Sequence, residues 1–118
     1  METNENYKEI LKLKELLDKE KDIPYEFKKL LDGYQIIIYK KDKFGNFEDI
    51  LVDAIEHYGS YGHNDDLLEI YGGLTGEERS HDAVLGYLTA EEVLKRFKFC
   101  YKHNTSSYAI VKEESSNV

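Results

Sequence analysis

The chain has 118 residues, 16 basic against 24 acidic, for a formal charge of −8. That is one domain's worth of chain, and folding should bury roughly two thirds of the surface the unfolded form exposes, enough to sustain one core. A field of this sign is repelled by phosphate backbones, which argues against direct nucleic-acid binding; no apolar run nears the ~20 residues of a membrane span, and the single cysteine, Cys100, leaves neither a disulfide framework nor a Cys-rich zinc site.

The polar, acidic start, Met1-Glu2-Thr3-Asn4-Glu5, is the wrong chemistry for a secretory signal, so the expected location is the cytoplasm. From about Glu5 to Asp22 the chain reads as an amphipathic helix. Ile10, Leu13 and Leu17 recur at spacings of three and four, with Lys8, Glu9, Lys12, Lys14, Glu15 and Lys19 on the other side. Glu15 and Lys19 stand in the favourable i,i+4 order. Ile23-Pro24 then stops the helix, because proline lacks an amide proton and disfavours helical geometry in the residue before it.

Two strands follow, over Tyr25 to Leu31 and Tyr34 to Tyr39, joined at Asp32-Gly33, a dipeptide suited to the positive φ angles of a tight hairpin. The second, Tyr34-Gln35-Ile36-Ile37-Ile38-Tyr39, is β-branched and aromatic. A turn at Lys43-Phe44-Gly45-Asn46 leads to a third strand over Phe47 to His57, with Ile50, Val52 and Ala54 on one face and Leu51, Asp53 and Ile55 on the other. Turns this short imply an antiparallel meander.

Gly59 to Asp66 is a loop by composition. Leu67 to Tyr71 is short and apolar, a fourth strand or a helical turn. Two capping-box patterns follow, Thr75 with Glu78 and Thr89 with Glu92, each marking a helix start. The first has Gly76 inside it and fits a turn or two. The second opens a longer helix with Val93, Leu94 and Phe97 on its apolar side, and Ala83 to Leu88 reads as a strand before it. Tyr108 to Val111 reads as an edge strand or a packing segment. The expected fold is therefore α+β: an N-terminal helix, an antiparallel sheet of about 3–5 strands and a C-terminal helix. One domain is expected over residues 1–111, with a disordered tail over 112–118.

The densest polar and aromatic cluster flanks the loop: His57, Tyr58, Ser60, Tyr61, His63, Asp65 and Asp66. Gly59 and Gly62 allow backbone angles that aim amide groups at an anion. Tyr58 and Tyr61 offer faces for a flat base or a protein partner. The same composition also suits a wide turn between strands with tyrosines on its rim, and the lysine and helix of a phosphate-binding P-loop are missing. His57, His63 and His81, with nearby carboxylates, supply donors for zinc, although the 57-to-63 spacing matches no established ligand pattern and surface histidines are the default reading. Ser60 lacks the Gly-x-Ser-x-Gly frame of a nucleophile elbow. Cys100 lies beside Phe97 on an apolar helix face and reads as a small buried hydrophobe. No residue set asks for an enzyme. The ten tyrosines, set among carboxylates, have the texture of a surface that meets arginine and lysine.

Five segments carry a family likeness: Ile23-Pro24-Tyr25, Asp32-Gly33-Tyr34-Gln35-Ile36, Gly59-Ser60-Tyr61-Gly62, Asp66-Leu67-Leu68-Glu69-Ile70, and Gly86-Tyr87-Leu88-Thr89-Ala90-Glu91-Glu92-Val93. On these, from about Leu11 to Phe97, the chain resembles small uncharacterised proteins encoded by phages and prophages of low-GC Gram-positive bacteria. The segment after Cys100 departs from the shorter members. The resemblance brings no catalytic residues; it implies accessory phage biology in an infected or lysogenic host cell, where small acidic proteins often disarm host defence. The leading expectation is an anti-CRISPR-like inhibitor that binds the basic surface of a host defence protein. The alternatives are a sponge that sequesters a nucleotide second messenger in the Gly59–Asp66 loop, and a small metal-binding protein or metal-dependent enzyme using His57, His63 and His81. The apolar stripe of the last helix suits either the core or a homo-oligomer seam.

Overall fold

Residues 2–41 and 47–109 are described by the structure, a computed structural model. The turn expected at Lys43-Phe44-Gly45-Asn46, the end of the segment expected over Tyr108 to Val111, and the tail over 112–118 lie outside the described residues. The elements are α1 (Glu9–Lys19), β1 (Glu26–Leu30), β2 (Gly33–Lys41), β3 (Phe47–Glu56), a 3-10 turn at His63–Asp65, β4 (Leu68–Tyr71), α2 (Gly76–His81), β5 (Val84–Leu88) and α3 (Ala90–His103). The five strands form one sheet in the order β1-β2-β3-β4-β5, every neighbouring pair antiparallel. The fold is α+β, with a helix before the sheet and a helix after it.

Both long helices lie on one face of the sheet. Ile10, Leu13 and Leu17 of α1 and Ala90, Val93, Phe97 and Cys100 of α3 bury together against Ile36, Ile38, Ala54 and Ile70. Burial pushes the Cys100 thiol up to about 11, so it is an inert packing group at neutral pH. The helix pair is tied at its surface by Lys12 and Glu91, 2.6 Å apart. No helix among the described residues is long and apolar enough to cross a membrane.

The opposite face packs against neither α1 nor α3, although Ile37 within it is buried. Cross-strand partners share a face, so Glu26, Ile37, Asp53, Tyr71 and Val84 form one row across it, and Lys28, Gln35, Ile55 and Glu69 the next.

Three expectations change in detail. The helix spans Glu9–Lys19 rather than Glu5 to Asp22, because residues 4–8 are held as an irregular segment by contacts to distant parts of the chain, described below. Its i,i+4 ion pair is Lys14–Asp18, at 3.2 Å. The β1–β2 loop is Leu31-Asp32, with Leu31 in the left-handed region at φ 54°, while Gly33 pairs with Leu30 inside the ladder. Gly33 is required for close approach: a Cβ there would stand 1.7 Å from the Glu56 carbonyl oxygen. On β3, register shifts near Tyr39 turn Ile50 outward and bring both Leu51 and Val52 into the core.

Both capping boxes form as the sequence predicts, with Thr75 and Thr89 accepting from the Glu78 and Glu92 amides. Glu78 also meets Arg96 of α3 in a two-pronged ion pair of 2.7 and 2.9 Å, which holds its carboxyl down at about 2. Arg96 further donates to the Gly73 carbonyl and lies 4.8 Å from the Tyr108 ring centroid. Ser107 makes a single parallel bridge to Leu74, and Tyr108 packs edge-on against Phe99.

Gly33→Ala is expected to cost about 2–3 kcal/mol or to disrupt the β1–β2 hairpin, because the new methyl overlaps backbone that cannot yield locally. Thermal denaturation checks this; an unchanged melting temperature contradicts the close approach.

Candidate functional site

The loop after β3 begins with a closed turn. Ser60 Oγ accepts the His57 N–H at 3.1 Å and donates to the His57 carbonyl at 2.9 Å, while the Ser60 N–H returns to the same carbonyl. Ser60 is buried, so its hydroxyl is a structural tie. Gly62 and Asp66, both in the left-handed region, bracket the 3-10 turn. Asp66 then points away from the loop toward α1. Its Oδ1 accepts the N–H groups of Lys8 and Glu9 at 2.8 and 2.9 Å. Lys8, at the helix N-cap, makes no side-chain cap of its own, so a residue 58 positions away supplies it.

Glu56, the last residue of β3, completes the cap. Its side chain is fully buried, and Oε1 accepts the Ile10 N–H at 3.1 Å. Oε2 is buried without a hydrogen-bond partner. Burial first, then the adjacent Asp66 carboxylate, push Glu56 up to about 9, so it is a neutral acid at pH 7. In that form its O–H has the Asp66 carboxylate beside it as an acceptor. Glu9 extends the chain of contacts, its Oε2 accepting the N–H of Ala90, the first residue of α3, at 2.6 Å.

Around this cap sit the remaining members of the cluster. Asp32 accepts the Tyr58 N–H at 2.8 Å and, through its other oxygen, the Tyr7 hydroxyl at 3.4 Å. His63 Nδ1 lies 3.4 Å from the same Tyr7 oxygen, and the His63 ring meets Tyr58 edge-on. The Tyr58 and Tyr61 side chains are exposed, at 70% and 52%, as is Asp65. The structure thus gathers Tyr58 and His63 near Tyr7, with Asp66 on the amides of Lys8 and Glu9, while Tyr61 stands apart, with its N–H on Glu69 Oε1 and its Cβ close over Gly86 of β5. His57 turns its Nδ1 to the Tyr58 carbonyl, and His81 ends α2. Among the described residues, no group of three or more His, Cys, Asp and Glu is placed to hold a metal ion.

The anion cradle expected of the loop meets competition from the chain itself. The N–H groups of Tyr58, Ser60, Tyr61, His63, Asp65, Asp66 and Leu67 are all engaged internally, two of them by carboxylates. Three groups that matter were not singled out from the sequence: Glu56, Asp53 and Glu69. Glu56 did leave a signal, because it continues the core-facing series Val52, Ala54 by two more residues. A charge in that row demands a partner.

Asp53 and Glu69 stand on the uncovered face of the sheet. Gln35 Nε2 donates to Asp53 Oδ2 at 2.7 Å; burial raises the Asp53 carboxyl above its ordinary range, against the pull of that bond. Tyr71, 55% exposed, and the half-buried Ile55 flank them. No family model matches the chain, and neither a curated protein nor a solved structure matches it.

Two outcomes test the cap. Glu56 holds its proton to about pH 9 in the folded chain and loses it near 4.5 when unfolded, so stability falls as pH rises through that window and levels off above it. Glu56→Gln, which keeps both hydrogen-bonding roles without a titratable group, is expected to flatten the decline and to be the more stable protein at pH 8. Parallel melting profiles from pH 5 to 9 contradict this. Asp66→Ala is expected to cost about 1–2 kcal/mol through the lost cap. Asp66→Asn, which tolerates the left-handed backbone and retains an acceptor, should cost markedly less; equal losses in urea titrations contradict the capping role.

Proposed function

We propose that the chain is a binding protein rather than an enzyme, and that it docks on a basic protein surface through the uncovered face of its sheet. One observation carries this reading. Among the described residues, the face without α1 or α3 presents Glu26, Asp53 and Glu69 beside Lys28, around Ile55 and Tyr71. An antiparallel sheet tolerates water on one side, but apolar and aromatic groups set among carboxylates are the composition of a recognition surface. Tyr61 adjoins this face through the bond from its N–H to Glu69. The overall charge of −8 adds long-range attraction for a basic partner. Nothing among the described residues positively indicates catalysis.

In its biological form the proposal is a phage-derived accessory protein that inhibits a host defence component in the manner of an anti-CRISPR protein. The resemblance to phage and prophage proteins supports it, together with the acidic docking face. The nucleotide-sponge alternative draws less support, since the loop's amides are mostly engaged and Asp66 faces the cap. For the metal alternative, no gathered ligand set stands among the described residues.

The test is phage plating on a bacterium with an active nuclease-based defence. Expression of the chain should restore plaques. The double variant Glu69→Gln, Tyr71→Ala, which keeps the acceptor for the Tyr61 N–H, should lose that effect while melting like the parent. Affinity for the purified defence complex should fall steeply with salt. Full inhibition by the variant, or affinity indifferent to salt, overturns the proposal.

A further inference from the structure

Where β1 begins, at the margin of the uncovered face, a cavity of about 300 Å³ is lined by Pro24, Tyr25, Glu26 and Tyr39. That size is at the small end for a ligand site, on the scale of one side chain. Each tyrosine hydroxyl is anchored on a carboxylate, Tyr25 on Asp18 of α1 and Tyr39 on Glu26. These bonds raise both phenols above their ordinary range, burial leading for Tyr25 and the Glu26 bond for Tyr39, so both rings stay neutral and fixed. Two oriented aromatic rings with a carboxylate between them attract a cation. Ring faces draw positive charge through their quadrupole, and the carboxylate supplies a directional acceptor. The chain already uses this chemistry for its own lysine nearby: Lys14 pairs with Asp18 while lying 5.6 Å from the Phe27 ring centroid.

We infer that the Tyr25–Tyr39 cavity is a receptor for one arginine side chain of the protein partner, its guanidinium stacked on the tyrosines and paired with Glu26. Arginine fits better than lysine because its planar group both stacks and pairs, and it is less strongly hydrated. Glu26 belongs to the row of Ile37 and Asp53, so an arginine seated here is continuous with contacts on the sheet face. The inference rests on the reading that the partner is basic, and deepens it by naming the anchoring side chain.

The experiment uses the isolated full chain and a small probe, so it reads the cavity separately from any defence assay. N-acetyl-arginine methylamide is titrated while the tyrosine ring resonances are followed by NMR, with the neutral isostere N-acetyl-citrulline methylamide as control. The expected result is saturable shifts at Tyr25 and Tyr39 with the arginine probe, and binding weaker by about tenfold for citrulline. Glu26→Gln should weaken the arginine probe toward the citrulline level. Tyr39→Phe, which keeps the ring, should bind the probe better than Tyr39→Ala. Equal binding of the two probes, shifts confined to other residues, or a Glu26→Gln protein with parental affinity overturns the inference. If the probe binds as expected while inhibition in cells fails, the sheet-face reading falls and the cavity stands.

Discussion

The cap on α1 is the interaction on which the rest of the molecule depends. A helix leaves its first amide protons without intrahelical partners, and its N-terminus carries a partial positive charge. Most helices meet this with a serine, threonine, aspartate or asparagine in the adjacent sequence. Here Lys8 occupies the cap position, and the acceptors come from Asp66 and Glu56, which lie 58 and 46 residues from the groups they bind. The helix is therefore finished only when the sheet and the loop after β3 are in place. Glu9, fixed by that cap, accepts the Ala90 N–H of α3. A line of carboxylates thus runs from the sheet to the first helix and on to the last.

The arrangement sorts the acidic residues into two populations. Glu56, Asp66, Glu9 and Asp32 turn onto backbone amides, of which the one Glu56 meets, that of Ile10, is buried. Glu56 goes furthest, giving up its charge because ionisation next to Asp66 in a buried site is too unfavourable. Asp53, Glu69 and Glu26 stand on the other side of the sheet, across from the helices. A loop rich in tyrosine, histidine and aspartate looks like a ligand site in sequence, yet its polar atoms largely serve the first population.

The C-terminal half is built by a different rule. Both α2 and α3 carry their own capping boxes, so they start where the local sequence says they start. Glu78 then serves twice, closing the α2 box and gripping Arg96 of α3, and Arg96 in turn supports Gly73 and Tyr108. Local caps define each of these helices, and one arginine fixes their mutual position.

Local patterns settled a large share of the protein. Residue spacing marked Ile10, Leu13 and Leu17 as the buried stripe of α1, β-branched runs marked the strands, and Thr-x-x-Glu marked two helix starts, because each depends only on neighbours within a few positions. Charge and composition set only an expectation, of a basic protein surface rather than nucleic acid as the partner. Only the tertiary structure decided where α1 begins, since its cap comes from Asp66 and Glu56. It alone assigned Gly33 to a close approach under Glu56 rather than to the turn. It also showed which sheet face lies opposite α1 and α3, and so which carboxylates stand there. These features join residues far apart in the chain, and a linear pattern carries no record of which distant groups will be brought within hydrogen-bonding distance.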